Sequence, residues 1–154
     1  MRLKILGEVE TPLELSAEDL ARFPESDKID DVRRIGARRQ GGGVYLRALV
    51  ERARPASGVR YVTFRSPSDD FMASVPLERV RGVGVVIFAL DGAPMTRREG
   101  GPFRFIIPDP AACGGDEIDE CVNVKFLEEI LLTAEPGRDT RPQDEIAHRR
   151  LHGG

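Results

Sequence analysis

A cluster of arginines beside three glycines could hold an anion. It lies in RRIGARRQGGG, residues 33–43, and its arginines are Arg33, Arg34, Arg38 and Arg39. Guanidinium groups and glycine backbone N–H groups together suit a phosphate or carboxylate. The same composition is typical of a solvated, mobile loop, which we favour. The segment lacks the Gly-Lys-Ser/Thr ending of a nucleotide P-loop.

A single arginine in an apolar strand raises a second question. In EGGPFRFIIP, residues 99–108, Arg104 follows a rigid Gly-Gly-Pro. Its apolar neighbours are Phe103, Phe105, Ile106 and Ile107. These neighbours are expected to fill the inside of a sheet. From the residues alone, we expect the head of Arg104 to reach solvent from the exposed face.

The sequence holds few groups for metal binding or nucleophilic catalysis. Its two cysteines, Cys113 and Cys121, match no zinc spacing and are expected to be free thiols. His148 and His152 stand four residues apart, with no third ligand nearby. Because both histidines lie near the C-terminus, no Ser-His-Asp arrangement can be proposed. The residues therefore predict no metal site.

Composition limits the classes of partner. The 154 residues are 40% hydrophobic and 32% charged, with a formal net charge of -3. This balance is typical of a globular domain and gives no basic field for nucleic acid. No apolar stretch approaches the roughly 20 residues of a membrane span, and charges come too early for a signal peptide. We predict a cytoplasmic protein that binds neither nucleic acid nor membranes.

Hydrophobic patterns predict more strands than helices. Extended structure is indicated in LKILGEV, PLEL, VRYVTFRS, FMASVPL, VGVVIFAL and FRFIIP. VGVVIFAL is expected to be a central strand, because its apolar run implies burial on both faces. Helices are predicted in SAEDLARF, with Ser16 as N-cap, and in VYLRALVERA. Asp91-Gly92 is a strong hairpin signal. Residues 121–133 have features of a strand and of a helix, and we favour the strand.

These elements predict an α+β domain with mixed, multi-stranded sheets and few helices, because strands and helices do not alternate regularly. A chain of this length is expected to form one domain. We place it at residues 1–134 and assign residues 135–154 to a polar C-terminal tail without a core pattern.

The order of several motifs resembles a known family. The motifs are GEVETPLELSAEDLARFP, GVYLRALVERA, DDFMASVPLERV, LDGAPMTRREGGPFRFIIP and VNVKFLEEI, within about residues 5–131. In this order they resemble the oxidoreductase molybdopterin-binding domain of the sulfite-oxidase type. The resemblance implies that family's α+β fold and a molybdopterin cofactor.

The resemblance also implies which residues hold the cofactor. The family's Gly-x-Pro-x-Arg segment lends an arginine to the pterin, at the position of Arg104. A lysine just before the last strand holds the phosphate end and matches Lys125. Asn123 and Val124 occupy loop positions that offer backbone and side-chain donors. A guanidinium can fork onto a phosphate or a pterin edge, and a lysine supplies a point charge. The alternative for Arg104 and Lys125 is an ordinary solvated charge.

Two departures from the family pattern bear on catalysis. Catalytic members carry a cysteine upstream of the Gly-Val-x-Leu helix, and its thiolate binds molybdenum. The corresponding position lies near Asp30, Asp31 or Val32, where no cysteine occurs. Glu99 stands where the family offers His or Asn, and a carboxylate would repel a phosphate. Cys121 is a weak candidate for a substitute ligand.

Two hypotheses follow for the function. The first is a non-catalytic domain that retains part of an anion or pterin pocket, serves in binding or assembly, and carries no molybdenum. The second is an active molybdenum oxidoreductase of the sulfite or sulfoxide type with an unconventional metal ligand. The missing cysteine favours the first, with a pterin or a small anion as the expected ligand.

Overall fold

A computed structural model of the chain describes residues 2–37, 39–107 and 123–138. Within these residues the helices are α1 (Ala17–Ala21), α2 (Leu46–Ala53) and α3 (Leu77–Val80). The strands are β1 (Leu3–Gly7), β2 (Leu13–Leu15), β3 (Lys28–Ile29), β4 (Gly41–Tyr45), β5 (Tyr61–Ser66), β6 (Phe71–Pro76), β7 (Val85–Leu90), β8 (Ala93–Pro94), β9 (Phe103–Ile106), β10 (Val124–Leu127) and β11 (Glu129–Thr133). Short 3-10 helices span Glu25–Asp27, Val32–Ile35, Pro67–Asp69 and Arg97–Glu99.

The strands form two sheets. The first has the order β2-β1-β11-β5-β6, and the second has the order β10-β9-β7-β4-β3, with β8 attached to β7. Among the described strands, β1 and β11 pair in parallel, and the other pairs are antiparallel. This architecture, rich in strands and poor in helices, confirms the predicted α+β class.

Strand β7 occupies the centre of the second sheet, as predicted. It pairs with β4 on one side and β9 on the other, and five of its six residues are buried. Asp91 and Gly92 then turn the chain into β8 with φ values of 49° and 80°. Two successive positive φ values are what a tight hairpin turn requires, which confirms the hairpin.

The main core lies between the two sheets. Phe64 of β5 stacks on Phe105 of β9, with ring centroids 3.9 Å apart, and both rings are fully buried. Helix α2 packs into the same core through its apolar face. The buried residues of this face are Leu46, Ala48, Leu49, Val50 and Ala53. The predicted helix and its packing are therefore confirmed. Ser16 also caps α1 as predicted, and its hydroxyl accepts from Asp19 N at 3.1 Å.

A smaller core covers the other face of the second sheet. Its buried members are Ile29, Val32, Val85, Ile87, Leu90, Met95 and Ile106. The 3-10 helix Val32–Ile35 lies over this face and contributes Val32. The second sheet therefore has protein on both faces, which explains why β7 is almost uniformly apolar.

The glycine run is a strand, not the solvated loop that its composition favoured. Gly41–Tyr45 form β4, which lies between β7 and β3. A Cβ atom on Gly41 would clash with the carbonyl oxygen of Ala89, and one on Gly43 would clash with a methyl group of Val85. Glycine is therefore needed where the two strands approach closely, and this packing overrides its low strand propensity.

The C-terminal part of the body is extended, as we favoured, but it forms two strands. Strand β10 joins the second sheet and β11 joins the first. Of the predicted tail, residues 135–138 are described, and Gly137 N donates to Ser74 Oγ at 2.9 Å. No described helix is long and apolar enough to cross a membrane.

Candidate functional site

A structured turn leads into the strand that carries Arg104. Glu99 closes a capping box at the 3-10 helix Arg97–Glu99, because its Oε1 accepts from Thr96 N at 3.0 Å. Gly100 ends this helix with a φ of 96°, in the left-handed region that favours glycine. The Gly101–Pro102 peptide bond is cis, and β9 begins at the next residue. The Gly-Gly-Pro motif therefore connects the turn to the strand.

Arg104 is half-buried, not fully exposed. It alternates with Phe103 and Phe105, whose rings enter the main core, so its side chain lies on the opposite face of β9. A Cβ atom on Gly100 would lie 3.0 Å from Arg104 Cδ, which shows how closely the arginine stem packs on that turn.

The Nε atom of the Arg104 guanidinium is desolvated without compensation from the described residues. Its Nε is buried and has no hydrogen-bond partner among them. Burial lowers the pKa of Arg104 from its usual range, but an arginine stays charged at neutral pH. A buried donor left unpaired costs free energy, so an anion that reached Nε would gain a charge-assisted hydrogen bond.

A β-bulge places Lys125 opposite Arg104. The residue pairs that flank the bulge are Val124 with Phe105 and Leu127 with Phe103. Three steps along β10 thus match two steps along β9, so Lys125 and Phe126 together stand opposite Arg104. Because Val124 enters the main core, strand alternation places the exposed Lys125 on the face that Arg104 uses. The convergence of the two charged heads stays a prediction.

Phe126, the second residue of the bulge, was not among the site residues predicted from the sequence. Its φ is 56°, a rare conformation for a bulky side chain. Its N–H donates to Gly100 O at 2.7 Å, and the guanidinium of Arg97 lies 5.2 Å from its ring centroid. Gly100 therefore hydrogen-bonds Phe126 and leaves little room for a side chain beside the stem of Arg104. The Val-x-Val-x-Phe alternation of residues 122–126 indicated a regular strand and concealed the bulge.

Asn123 and Val124 have structural partners. Asn123 Oδ1 accepts from Ile107 N at 3.2 Å, which ties the end of β9 to the start of β10. The side chain of Val124 is only 2% exposed and belongs to the main core. Only the backbone of Val124 and the amide group of Asn123 remain as groups that a ligand could use.

Glu99 is held by neighbouring donors and does not present a free carboxylate. Its Oε2 lies 2.6 Å from Arg39 Nη1, and Arg39 also pairs with Asp91. The backbone hydrogen bond from Thr96, followed by the one from Arg39, lowers the pKa of Glu99. Arg39 therefore neutralises the charge that we expected to repel a phosphate.

The positions near the family's metal ligand are occupied by other interactions. Arg33 donates a fork to Asp31, with Nη2 2.7 Å and Nε 3.0 Å from Oδ2, and hydrogen bonds from Arg33 lower the pKa of Asp31. Asp30 pairs with Arg34 at 3.1 Å, and Val32 is fully buried. No three His, Cys, Asp or Glu residues cluster to hold a metal ion within residues 2–37, 39–107 and 123–138.

Several candidates from the sequence lie outside the described residues. They are Arg38, Cys113, Cys121, His148 and His152. Of the arginine cluster, Arg33, Arg34 and Arg39 all pair with carboxylates of this chain. These three guanidinium groups are therefore not gathered around an anion site.

Known proteins share this sequence pattern and this fold. Residues 38–140 match the family described as the oxidoreductase molybdopterin binding domain. The chain belongs to this family. The crystal structure of the sulfane dehydrogenase SoxCD from Paracoccus pantotrophus is similar to this molybdopterin-binding domain, with a TM-score of 0.64 and 20% sequence identity. The likeness shows a sulfite-oxidase-type fold. It covers 88% of this chain and 39% of the SoxCD chain. No curated protein matches the chain.

Proposed function

We propose that this domain binds the phosphate and pterin portion of a molybdopterin-type ligand and does not catalyse a reaction at molybdenum. The observation that carries the proposal is Arg104, a half-buried cation whose Nε has no hydrogen-bond partner among the described residues. Membership of the molybdopterin binding domain family supports a molybdopterin ligand. The domain then serves in binding or assembly.

Charge and geometry support a phosphate at Arg104. Each charge-assisted hydrogen bond contributes about 1.5 to 3 kcal/mol. Lys125 stands opposite Arg104 in the bulge and adds a second positive charge on the same face of the sheet. The pairing of Glu99 with Arg39 limits the negative charge near this surface. The pterin and phosphate portion of the cofactor therefore fits the residues present.

The molybdenum portion does not fit the described residues. Where the family places its thiolate, this chain has Asp30, Asp31 and Val32. To reach a metal, Asp31 would have to leave its fork with Arg33 and its hydrogen bond to Arg33 N. A hard carboxylate is also a different donor from the soft thiolate of catalytic members. For these reasons we do not favour an active oxidoreductase.

Protein purified from a host that makes molybdopterin tests both parts of the proposal. We expect pterin fluorescence in the protein fraction, much less than one molybdenum per chain by elemental analysis, and neither sulfite oxidation nor sulfoxide reduction. Arg104→Met should remove the bound pterin, whereas Arg34→Met, a matched change at an exposed, paired arginine, should retain it.

Two results would overturn the proposal. The first is an absence of pterin from the wild-type protein, or an equal level of pterin in Arg104→Met. Either observation would show that Arg104 does not form a pterin-binding site. About one molybdenum per chain, with sulfite or sulfoxide activity that Cys121→Ser or Asp31→Ala abolishes, would establish an oxidoreductase and identify its metal ligand.

A further inference from the structure

Phe126 has a left-handed backbone conformation at the bulge of β10. Its φ of 56° lies in the left-handed region, where a bulky residue is strained and glycine or asparagine is not. Its ring is only partly buried, whereas the neighbouring Val124 and Leu127 are in the main core. Strain of this kind is typical of binding sites, where it fixes the direction of a side chain.

The ring of Phe126 forms part of an open depression. The other residues that line the depression are Ser68, Asp69, Arg97 and Arg98, and its volume is about 450 Å³. The guanidinium of Arg97 lies over the Phe126 ring, 5.2 Å from the centroid. A guanidinium stacked on an aromatic ring presents flat surfaces to an incoming planar group.

We infer that Phe126 and Arg97 form a stacking platform for the planar ring of the ligand whose phosphate is held by Arg104 and Lys125. This inference rests on the proposed function and adds the residues that select the ring. Planar rings stack on aromatic and guanidinium faces whatever their edge pattern, so the platform supplies affinity for a flat heterocycle.

Gly100 connects the platform to the phosphate site. Its backbone oxygen accepts the N–H of Phe126 at 2.7 Å, and a Cβ atom added at its Cα would lie 3.0 Å from Arg104 Cδ. Arg97 lies three residues earlier, in the 3-10 helix that Gly100 ends. Arg104 and Lys125 are not among the described residues that line the depression, so a ligand that reaches both places must extend from the depression past Gly100.

Asp69 gives the platform a preference for ring edges that donate hydrogen bonds. It lines the depression together with Ser68, and its carboxylate is exposed. A pterin carries an amino group beside a ring N–H, and this pair of donors matches the two oxygens of a carboxylate. A flat ring without such donors would keep the stacking contact and lose this pairing.

The platform is tested with two phosphate esters, neopterin phosphate, which carries the ring, and glycerol phosphate, which does not. We expect the wild-type protein to bind neopterin phosphate more tightly. Phe126→Leu keeps a bulky side chain and the strained φ but removes the π face. The affinity of this variant for neopterin phosphate should therefore be about tenfold lower than that of the wild type. Its affinity for glycerol phosphate should be unchanged.

Three further variants separate binding from structural roles. Phe126→Gly relieves the left-handed strain, so its Tm should equal or exceed that of the wild type. Its affinity for neopterin phosphate should be lower, because the ring is gone. Arg97→Gln and Arg98→Gln remove the same charge, but only Arg97 lies over the ring. Arg97→Gln should therefore have the larger effect on neopterin phosphate.

The platform is wrong if Phe126→Leu leaves neopterin phosphate affinity intact, or if Phe126→Gly lowers Tm and leaves that affinity unchanged. Equal effects of Arg97→Gln and Arg98→Gln would mean that net charge alone attracts the ligand. Failure of the wild-type protein to bind glycerol phosphate at all would instead count against the phosphate site at Arg104, so the two proposals fail in different ways.

Discussion

Arg104 and the three described arginines of the 33–39 segment occupy opposite kinds of environment. The side chains of Arg33, Arg34 and Arg39 are each at least 48% exposed, and each meets a carboxylate of its own chain. Arg104 is half-buried, and its Nε meets no partner among the described residues. The three described arginines of the cluster are therefore paired within the chain, whereas the isolated Arg104 has a buried donor without a partner among the described residues.

The difference shows that the number of arginines in a segment is a poor guide to a binding site. Exposed arginines with carboxylate partners have their charge balanced and contribute little to stability. A desolvated guanidinium N–H without a partner costs free energy in the folded state until an anion binds. This contrast can be tested by substitutions in both regions.

The largest effect is expected from Arg104→Met. Methionine keeps the apolar stem and removes the unpaired charge, so Tm should stay constant or rise, while affinity for inorganic phosphate falls at least about tenfold. Isothermal titration and thermal melts measure the two quantities. A lower Tm with unchanged phosphate affinity would mean that Arg104 pairs with a carboxylate of its own chain, and the contrast between the regions would disappear.

Gly100→Ala tests the contrast between Arg104 and the paired arginines by changing the backbone beside Arg104. Alanine at a φ of 96° costs about 1 to 3 kcal/mol, and its Cβ would lie 3.0 Å from Arg104 Cδ. Gly92→Ala is the matched control, because Gly92 has a φ of 80° with no atom within 4 Å of an added Cβ. Both variants should be less stable in denaturant titrations, and only Gly100→Ala should lose phosphate affinity.

Glu99 links the two regions, and its contribution depends on pH. Hydrogen bonds from Thr96 and Arg39 lower its folded-state pKa below the usual 4.5. The carboxylate therefore stabilises the fold above pH 4.5, and this contribution is lost as the pH falls through the folded-state pKa. The Tm of Glu99→Gln should lie below that of the wild type near pH 7, and the gap should narrow as the pH falls below 4.5 and through the folded-state pKa. A gap that is constant with pH would exclude the ionised form as its source.

The smallest effect is expected from Arg34→Gln. The Arg34 and Asp30 side chains are 69% and 76% exposed, and such a pair is worth at most about 0.5 kcal/mol. Tm and phosphate affinity should both match the wild type. A loss of phosphate affinity in this variant would restore the anion-cradle interpretation of the arginine cluster.

Strong local patterns predicted much of the fold. The apolar run in β7, the helical spacing in α2 and the Asp91-Gly92 turn are each determined within a few residues, and each is confirmed. Strand β4 is different, because glycine has little preference for strands and its place depends on how closely β7 approaches. The partnership of Arg39 with Asp91, 52 residues away, likewise has no local signal.

Only part of the candidate site could be predicted from the sequence. The family resemblance predicted roles for Arg104 and Lys125, and their placement on opposite sides of one bulge depends on strand register. Register comes from tertiary pairing, so the extra residue in β10 and the strained Phe126 could not be predicted from alternation. The partners of Asp30 and Asp31 are local, but their salt bridges require the 3-10 geometry that follows them.

The parallel pairing of β1 with β11 has a consequence for biosynthesis. Ile5 lies beside Ile130 in the first sheet, so the earliest strand of the domain has its neighbour more than a hundred residues later. During translation, β1 and β2 can form a hairpin at once, but their sheet is completed only after residue 133 has left the ribosome. Such distant contacts slow folding, because a long loop must close before they form. Until then the apolar side chains of β1 depend on chaperones, or on the nascent second sheet, for protection from water.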